Sequence, residues 1–367
     1  MAAGAAAAAT AAAQTPGIYS LTVPMEVEYD SNPEMATANP RSTTWLRARP
    51  TLSATRVQGT EEYTLEAALS AEKSSNSEVA KDRLDPRLRA AWKHADPLNT
   101  TQLDFVADRR AIRSTELREN LPVGVDGSRT LFALGGSWTR ELSERNSAAA
   151  AVRQTWERYS IPSLADYRLT AASLRFNHEM DERRTLYAVV DGQWYRPDER
   201  QDPVLGTVQG TPSESAGALA GLRHRFSDAL YVDVAAGVVH FSRPRSDNEW
   251  QGAFRAEYTG ERWSAALDLA RSPAVSSTIA GLDIISDARV RARYAVDPLS
   301  RIEFNVGHSR ARRSDSRRWI ATVGWVRQLT PSWELGVRVG RRQVDDPGGR
   351  ASSNLVALSL IYSAPDF

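Results

Sequence analysis

Apolar and polar residues alternate one for one along most of this chain, and that period of two narrows the possible folds more than any other feature. From Asp287 to Ser309 the pattern is explicit. Ala288, Val290, Ala292, Tyr294 and Val296 alternate with Asp287, Arg289, Arg291, Arg293 and Ala295. The turn Asp297-Pro298-Leu299-Ser300 follows, and then Ile302, Phe304 and Val306 alternate with Arg301, Glu303, Asn305 and Gly307. Such spacing puts the apolar groups on one side of a β-hairpin and the charges on the other. The pattern recurs with almost no second kind of element, which predicts an all-β chain. Closed on itself, a sheet of this kind is a transmembrane antiparallel up-and-down β-barrel, apolar side to lipid and polar side to a lumen.

Composition agrees. The 367 residues include 46 Lys plus Arg and 45 Asp plus Glu, a net charge of +1, and the mean hydropathy is −0.44. Outside the Ala-rich start no run of 18 or more apolar residues occurs, which excludes helical membrane spans. A polar mean is still compatible with a barrel, because every apolar residue has a polar neighbour. The near-zero net charge gives no reason to expect nucleic acid as a partner. Cysteine is absent, which removes disulfides and thiolate chemistry. Only Lys73, Lys81 and Lys93 are lysine, so 43 basic residues are arginine. An Arg-rich codon bias accounts for this, and so does a lumen that uses the planar guanidinium for pairs and anions.

Residues 1–17 read as an alanine tract with a signal-like, small-residue end at Ala11-Ala12-Ala13-Gln14, and 18–367 as one barrel domain. The first strand candidate is Tyr19 to Asp30. Eight short connections carry tight-turn chemistry: Gly59–Glu62, Asp96–Asn99, Ser143–Asn146, Asp181–Arg184, Ser227–Ala229, Thr259–Arg262, Asp297–Ser300 and Thr330–Ser332. Between them fall nine longer, polar segments: Ser31–Ser42, Ser75–Asp85, Arg113–Asp126, Ser160–Asp166, Pro197–Ser215, Ser242–Glu249, Ser272–Asp283, Arg312–Ser316 and Asp345–Ser352. These connections predict about eighteen strands, with sixteen the alternative. Short turns would be periplasmic and long loops extracellular. Helix propensity competes at Ser147–Tyr159, but the alternation of Val152, Gln154 and Trp156 with Arg153, Thr155 and Glu157 fits a strand. At the other end Leu358, Leu360 and Tyr362 alternate, and Ser363-Ala364-Pro365-Asp366 breaks the pattern before Phe367.

The expected lipid side includes Leu65, Leu69, Phe132, Leu134, Leu186, Val190, Trp319, Val323, Val356 and Leu358. Tyr63, Tyr258, Trp263, Tyr294, Trp333 and Tyr362 beside the short turns form an aromatic girdle. The expected lumen side carries Arg47, Arg49, Arg223, Arg225, Arg255, Arg289, Arg291 and Arg293, the candidate solute-binding residues, with acids such as Asp104, Asp233, Asp268, Glu303 and Glu334. Cross-strand ion pairing explains much of this set. A field that guides anionic or sugar solutes is the functional alternative. Arg289, Arg291 and Arg293, the densest same-face run of arginine, are the first choice.

The stretch Glu26-Val27-Glu28-Tyr29-Asp30-Ser31-Asn32-Pro33 resembles the opening of the β-barrel porin type 2 family, outer-membrane barrels often found near exopolysaccharide loci. The resemblance implies a Gram-negative outer-membrane barrel, inserted by the barrel-assembly machinery, with a role in the passage or export of polysaccharide. It carries no catalytic residues and no cofactor.

Other chemistry is sparse. His94, His178, His224, His240 and His308 stand at no metal-ligand spacing. His308-Ser309 has the residue types of an outer-membrane lipase, yet adjacent residues of a strand point to opposite faces. Asp30, Asn32 and Asp85 could hold calcium in a loop. The reading is therefore a non-enzymatic, porin-like channel for sugars, polysaccharide or anions. Its alternative is a non-conducting scaffold or adhesin barrel.

Overall fold

The structure is a computed structural model that describes residues 17–112, 126–202, 206–208, 210–243, 246–276 and 281–365. The signal-like tract, Phe367 and most of the loop expected at Arg113–Asp126 lie outside the described residues. Twenty-one strands follow one another among the described residues. In order they are β1 (Ile18–Asp30), β2 (Thr43–Ala48), β3 (Thr51–Gln58), β4 (Glu61–Ser74), β5 (Arg83–Ala95), β6 (Asn99–Ala111) and β7 (Ser128–Ser143). Next come β8 (Asn146–Tyr159), β9 (Tyr167–Asp181), β10 (Arg184–Pro197), β11 (Arg200–Asp202), β12 (Gly206–Val208), β13 (Ser213–Arg225) and β14 (Leu230–Arg243). The last seven are β15 (Asp247–Thr259), β16 (Trp263–Ser276), β17 (Gly281–Asp297), β18 (Ser300–Ala311), β19 (Arg317–Thr330), β20 (Trp333–Asp346) and β21 (Gly349–Pro365).

Each barrel strand pairs antiparallel with its sequence neighbours, and β1 also pairs with β21 from Ser20↔Pro365 to Asp30↔Leu355. The sheet therefore has no free edge. β11 and β12 form a separate small hairpin. β2 and β3 are two halves of one strand interrupted at Arg49-Pro50, so the closed barrel has 18 staves. Proline supplies no N–H to the ladder. The break is bridged by Arg49 N–H to Pro24 O at 2.9 Å and Leu69 N–H to Pro50 O at 3.1 Å.

All eight short turns occur where the sequence places them. Gly59, with φ of 61°, supplies the left-handed residue between β3 and β4. The long connections differ in five places, the first being Pro197–Ser215, which holds the β11–β12 hairpin and the start of β13. β5 starts at Arg83, so Asp85 belongs to a strand. β15 starts at Asp247. Asp346 and Gly349 are joined by a tight turn rather than a loop. Strands also run far into Ser272–Asp283. The C-terminal strand is not broken at Ser363. Pairing with β1 carries it through Pro365, because a neighbour on that side holds the backbone extended whatever the side-chain pattern.

Side-chain direction follows the alternation. Leu65, Leu134, Val190, Val323 and Leu358 are exposed on the outer face, as are many other large apolar residues. Such a surface is stable against hydrocarbon and unstable against water. At the short-turn end Trp263 stacks beside Tyr294, with ring centres 4.6 Å apart, and Trp333 beside Tyr362 at 5.0 Å. These are the girdle residues expected at the periplasmic interface.

Asp30 and Asn32, read as a possible calcium loop, instead clamp the seam between the first and last strands. Asp30 is fully buried and accepts from Arg342 and from the Ser353 hydroxyl. The Asn32 side chain donates to Ala36 O at 2.9 Å and Ser352 O at 3.2 Å, and accepts from Ala36 N–H at 2.9 Å. Asp85 is elsewhere, held by Arg83 at 3.0 Å.

Candidate functional site

The inner wall carries a belt of alternating charge. Arg223, Asp233, Arg255, Asp268 and Arg289 are successive register partners across β13 to β17. Opposite charges facing each other across neighbouring strands stabilise by about 0.2–1 kcal/mol per pair. Arg223 meets Asp233 at 3.2 Å, and the hydroxyls of Tyr187 and Tyr231 also donate to that carboxylate. Arg255 lies 3.7 Å from Asp268, which accepts from Arg291 at 2.7 Å. Arg293 reaches Glu303 at 3.3 Å, and Arg301 joins Glu303 and Glu334, each at 2.7 Å.

The acids that pair with Arg291 and Arg293 thus arrive from the neighbouring strands. They do not cover the ladder. The Arg291 and Arg293 side chains remain 51% and 59% exposed to the interior. Arg289 has no ion pair among the described residues, because Asp268 bonds Arg291 and Arg255 instead.

The other candidates divide. Arg47 is enclosed by Glu28 and Glu72, each at 2.9 Å, and Glu26 at 3.3 Å, and Arg338 bonds the same Glu26 and Glu28 at 2.9 and 3.1 Å. With its charge spent on three carboxylates, Arg47 ties β1, β2 and β4 together. Arg49 sits at the break between β2 and β3, exposed. Arg225 stands at the end of β13 beside the short turn, and its backbone N–H donates to Arg183 O at 2.8 Å. Neither joins the ladder.

Near the long-loop end the barrel is narrowed by a feature the sequence reading treats as a loop. β15 and β16 stop pairing at Gly252↔Arg271, whereas β16 and β17 stay paired to Ser276↔Gly281. The outer part of this hairpin therefore leaves the wall and leans inward. The Gln193 side chain on β10 reaches Pro273 O at 3.5 Å, and β17 comes within contact of β10 and β13, far from it in the sheet order. Leu282 and Ile284 pack against Tyr167, Tyr195, Val239 and Phe241 in a buried apolar cluster. Arg313, after β18, caps the cluster with its guanidinium 4.9 Å from the Phe241 ring, while its N–H and that of Ser314 donate to buried Asp283. Leu282-Asp283-Ile284-Ile285 is buried on both faces, and its break of the alternation is the signal that marks it.

Three of the histidines flagged in the sequence are held by local partners. His94 bonds Glu61 at 2.7 Å, and His178 and His240 each bond an asparagine. His308 pairs with Trp319 on the outer face while Ser309 alternates to the inner one. Among the described residues no three His, Cys, Asp or Glu side chains converge as a metal site.

No protein-family model matches the sequence, and no curated protein does. Solved structures do resemble the fold. OpdO of Pseudomonas aeruginosa superposes with a TM-score of 0.55 at 11% identity, over 95% of this chain and 97% of its own. OccK1 (OpdK) of the same organism gives 0.52 at 11% identity, over 95% and 98%. Its ferric enterobactin receptor PfeA gives 0.52 at 7% identity, over 94% and 80%. OpdK is an outer membrane protein, and the present chain shares the closed antiparallel β-barrel fold of these structures.

Proposed function

We propose that the barrel is a porin-like channel through which small anionic or sugar-like solutes diffuse across the outer membrane. The observation that carries this reading is the ladder of Arg289, Arg291 and Arg293. Its guanidiniums face the barrel interior with their charge only partly neutralised, as an anion-selecting pore requires. A fold neighbour, OpdK, has been crystallised with vanillate, a carboxylate, which is the kind of solute such a wall attracts. Export of polysaccharide draws less support. The residues that resemble the exopolysaccharide-associated family, Asp30 and Asn32, are occupied in closing the seam and do not line a path.

The second reading, a barrel without solute flux that serves as a scaffold for surface polymer, is favoured by the inward hairpin and its apolar cluster, which fill part of the interior. Recording the purified protein in planar bilayers separates the two. A discrete conductance step, anion preference in a salt gradient and block by an anionic oligosaccharide support the channel. A silent bilayer, with insertion verified by gel mobility, supports the scaffold.

A further inference from the structure

The outer surface of β8, β9 and β10 carries an arginine group that the pore does not use. Arg168 on β9 is the direct register partner of Arg196 on β10 and, on its other side, of Trp156. Arg158 lies two residues beyond Trp156 toward the long loops, diagonal to Arg168. All three are exposed, and the residues alternating with them, Glu157, Tyr167 and Tyr195, are buried on the inner side. Among the described residues none of the three guanidiniums has an ion pair. Like charges directly opposite each other across a strand pair are destabilising. The chain neutralises such a pair elsewhere on the same rim: Arg310 opposes Arg317, and Asp315 stands 3.4 and 3.9 Å from them. Asp166 and Asp198 follow one step outward from Arg168 and Arg196, joined by a 2.7 Å backbone hydrogen bond, but among the described residues neither forms an ion pair with these arginines.

What lies below them is graded in polarity. One step toward the membrane centre, Gln154 and Thr170 face each other and share a 2.5 Å hydrogen bond, with Trp194 next in the row. A further step in, the row Gly136, Val152, Ala172, Gly192 and Ala216 has no side chain larger than valine. It floors an apolar trough of about 600 Å³ on the lipid-facing wall, with Trp194 at its side. Guanidiniums, then amide and hydroxyl, then an apolar trough repeat along the membrane normal the parts of an amphiphile: phosphate, polar backbone, acyl chains.

We propose that this face binds one phosphorylated lipid of the outer leaflet, its phosphate bridging Arg158, Arg168 and Arg196 and its chains lying over the trough. Planar guanidiniums bind phosphate oxygens in two-point contacts, and a bridging anion turns the Arg168–Arg196 repulsion into attraction. Basic clusters at the headgroup level recognise lipid phosphates by this chemistry.

The test uses the full-length protein in detergent, scored by native mass spectrometry with a diphosphorylated acylated glycolipid, its dephosphorylated counterpart, or inorganic phosphate alone. The proposal expects one phosphorylated lipid retained per barrel and retention weaker by about tenfold in R158Q/R168Q/R196Q, the loss of three charge-assisted contacts. It also expects R310Q/R317Q to behave as wild type, and millimolar phosphate not to displace the lipid. Equal retention by the triple variant, equal retention of the dephosphorylated lipid, or displacement by inorganic phosphate each overturns it. Should the triple variant fail to fold, Arg196→Gln alone carries the same test with a smaller loss. Bilayer conductance is expected to be unchanged in these variants, so failure here leaves the channel reading untouched.

Discussion

Replacing Arg289, Arg291 and Arg293 with glutamine tests whether the ladder sets ion preference, and the structure fixes the size of the effect. An ion passing at roughly 8 Å through water feels about 0.5 kcal/mol from each unit charge. Arg289 carries an unpaired charge that attracts the anion and repels the cation by that amount, so Arg289→Gln alone shifts the anion-to-cation permeability ratio by about 1 kcal/mol, or about fivefold. Removing all three also takes Arg291 from Asp268 and Arg293 from Glu303, leaving only Arg255 and Arg301 beside those carboxylates. The full change of three charges then amounts to about 3 kcal/mol in that ratio, or about a hundredfold. Reversal potentials in a salt gradient read this directly. Screening supplies the internal control: the effect should be full at about 0.01 M salt, where the Debye length is about 30 Å, and nearly vanish at 1 M, where it is about 3 Å. An unchanged ratio in the triple variant at low salt, or a change that persists undiminished at high salt, refutes the argument.

Two further outcomes follow from geometry away from the ladder. Asp30→Ala leaves Arg342, whose side chain is only 13% exposed, without its counter-charge. The variant should lose about 3–5 kcal/mol of stability. Asp30→Leu with Arg342→Met should recover most of that loss in urea unfolding from vesicles, and a double variant as unstable as the single one would contradict the account. Ile284→Asp places a charge in the apolar cluster that pins the β16–β17 hairpin against β10 and β14. Its unit conductance should rise and larger uncharged sugars should pass, as polymer-exclusion recordings would show; unchanged conductance means the hairpin does not narrow the path.

Much of the fold was legible because lipid outside and water inside enforce the period of two on every stave. Short turns were legible for a second reason: Asp, Asn, Gly and Pro act locally, so Asp96–Asn99 and Asp297–Ser300 need no knowledge of their surroundings. What escaped depends on distant partners. The ion pairs of Arg291 and Arg293 are set by which strand lies alongside, and Asp268 and Glu303 are far from obvious without the register. The inward hairpin escaped because Ser272–Asp283 has loop composition, although Leu282-Asp283-Ile284-Ile285 announces burial on two sides. The Tyr29–Asn32 motif was visible, but only the meeting of β1 with β21 shows that it serves closure.

That meeting also orders events in time. The contact between Asp30 and Arg342 spans 312 positions, and β1 cannot find its second neighbour until β21 has been made and delivered. A chain that stalls short of β21 keeps a raw flank of N–H and C=O groups, which invites proteases and mispairing. Completion of synthesis is thus a precondition for the cylinder, and its final stitch distinguishes finished copies from fragments.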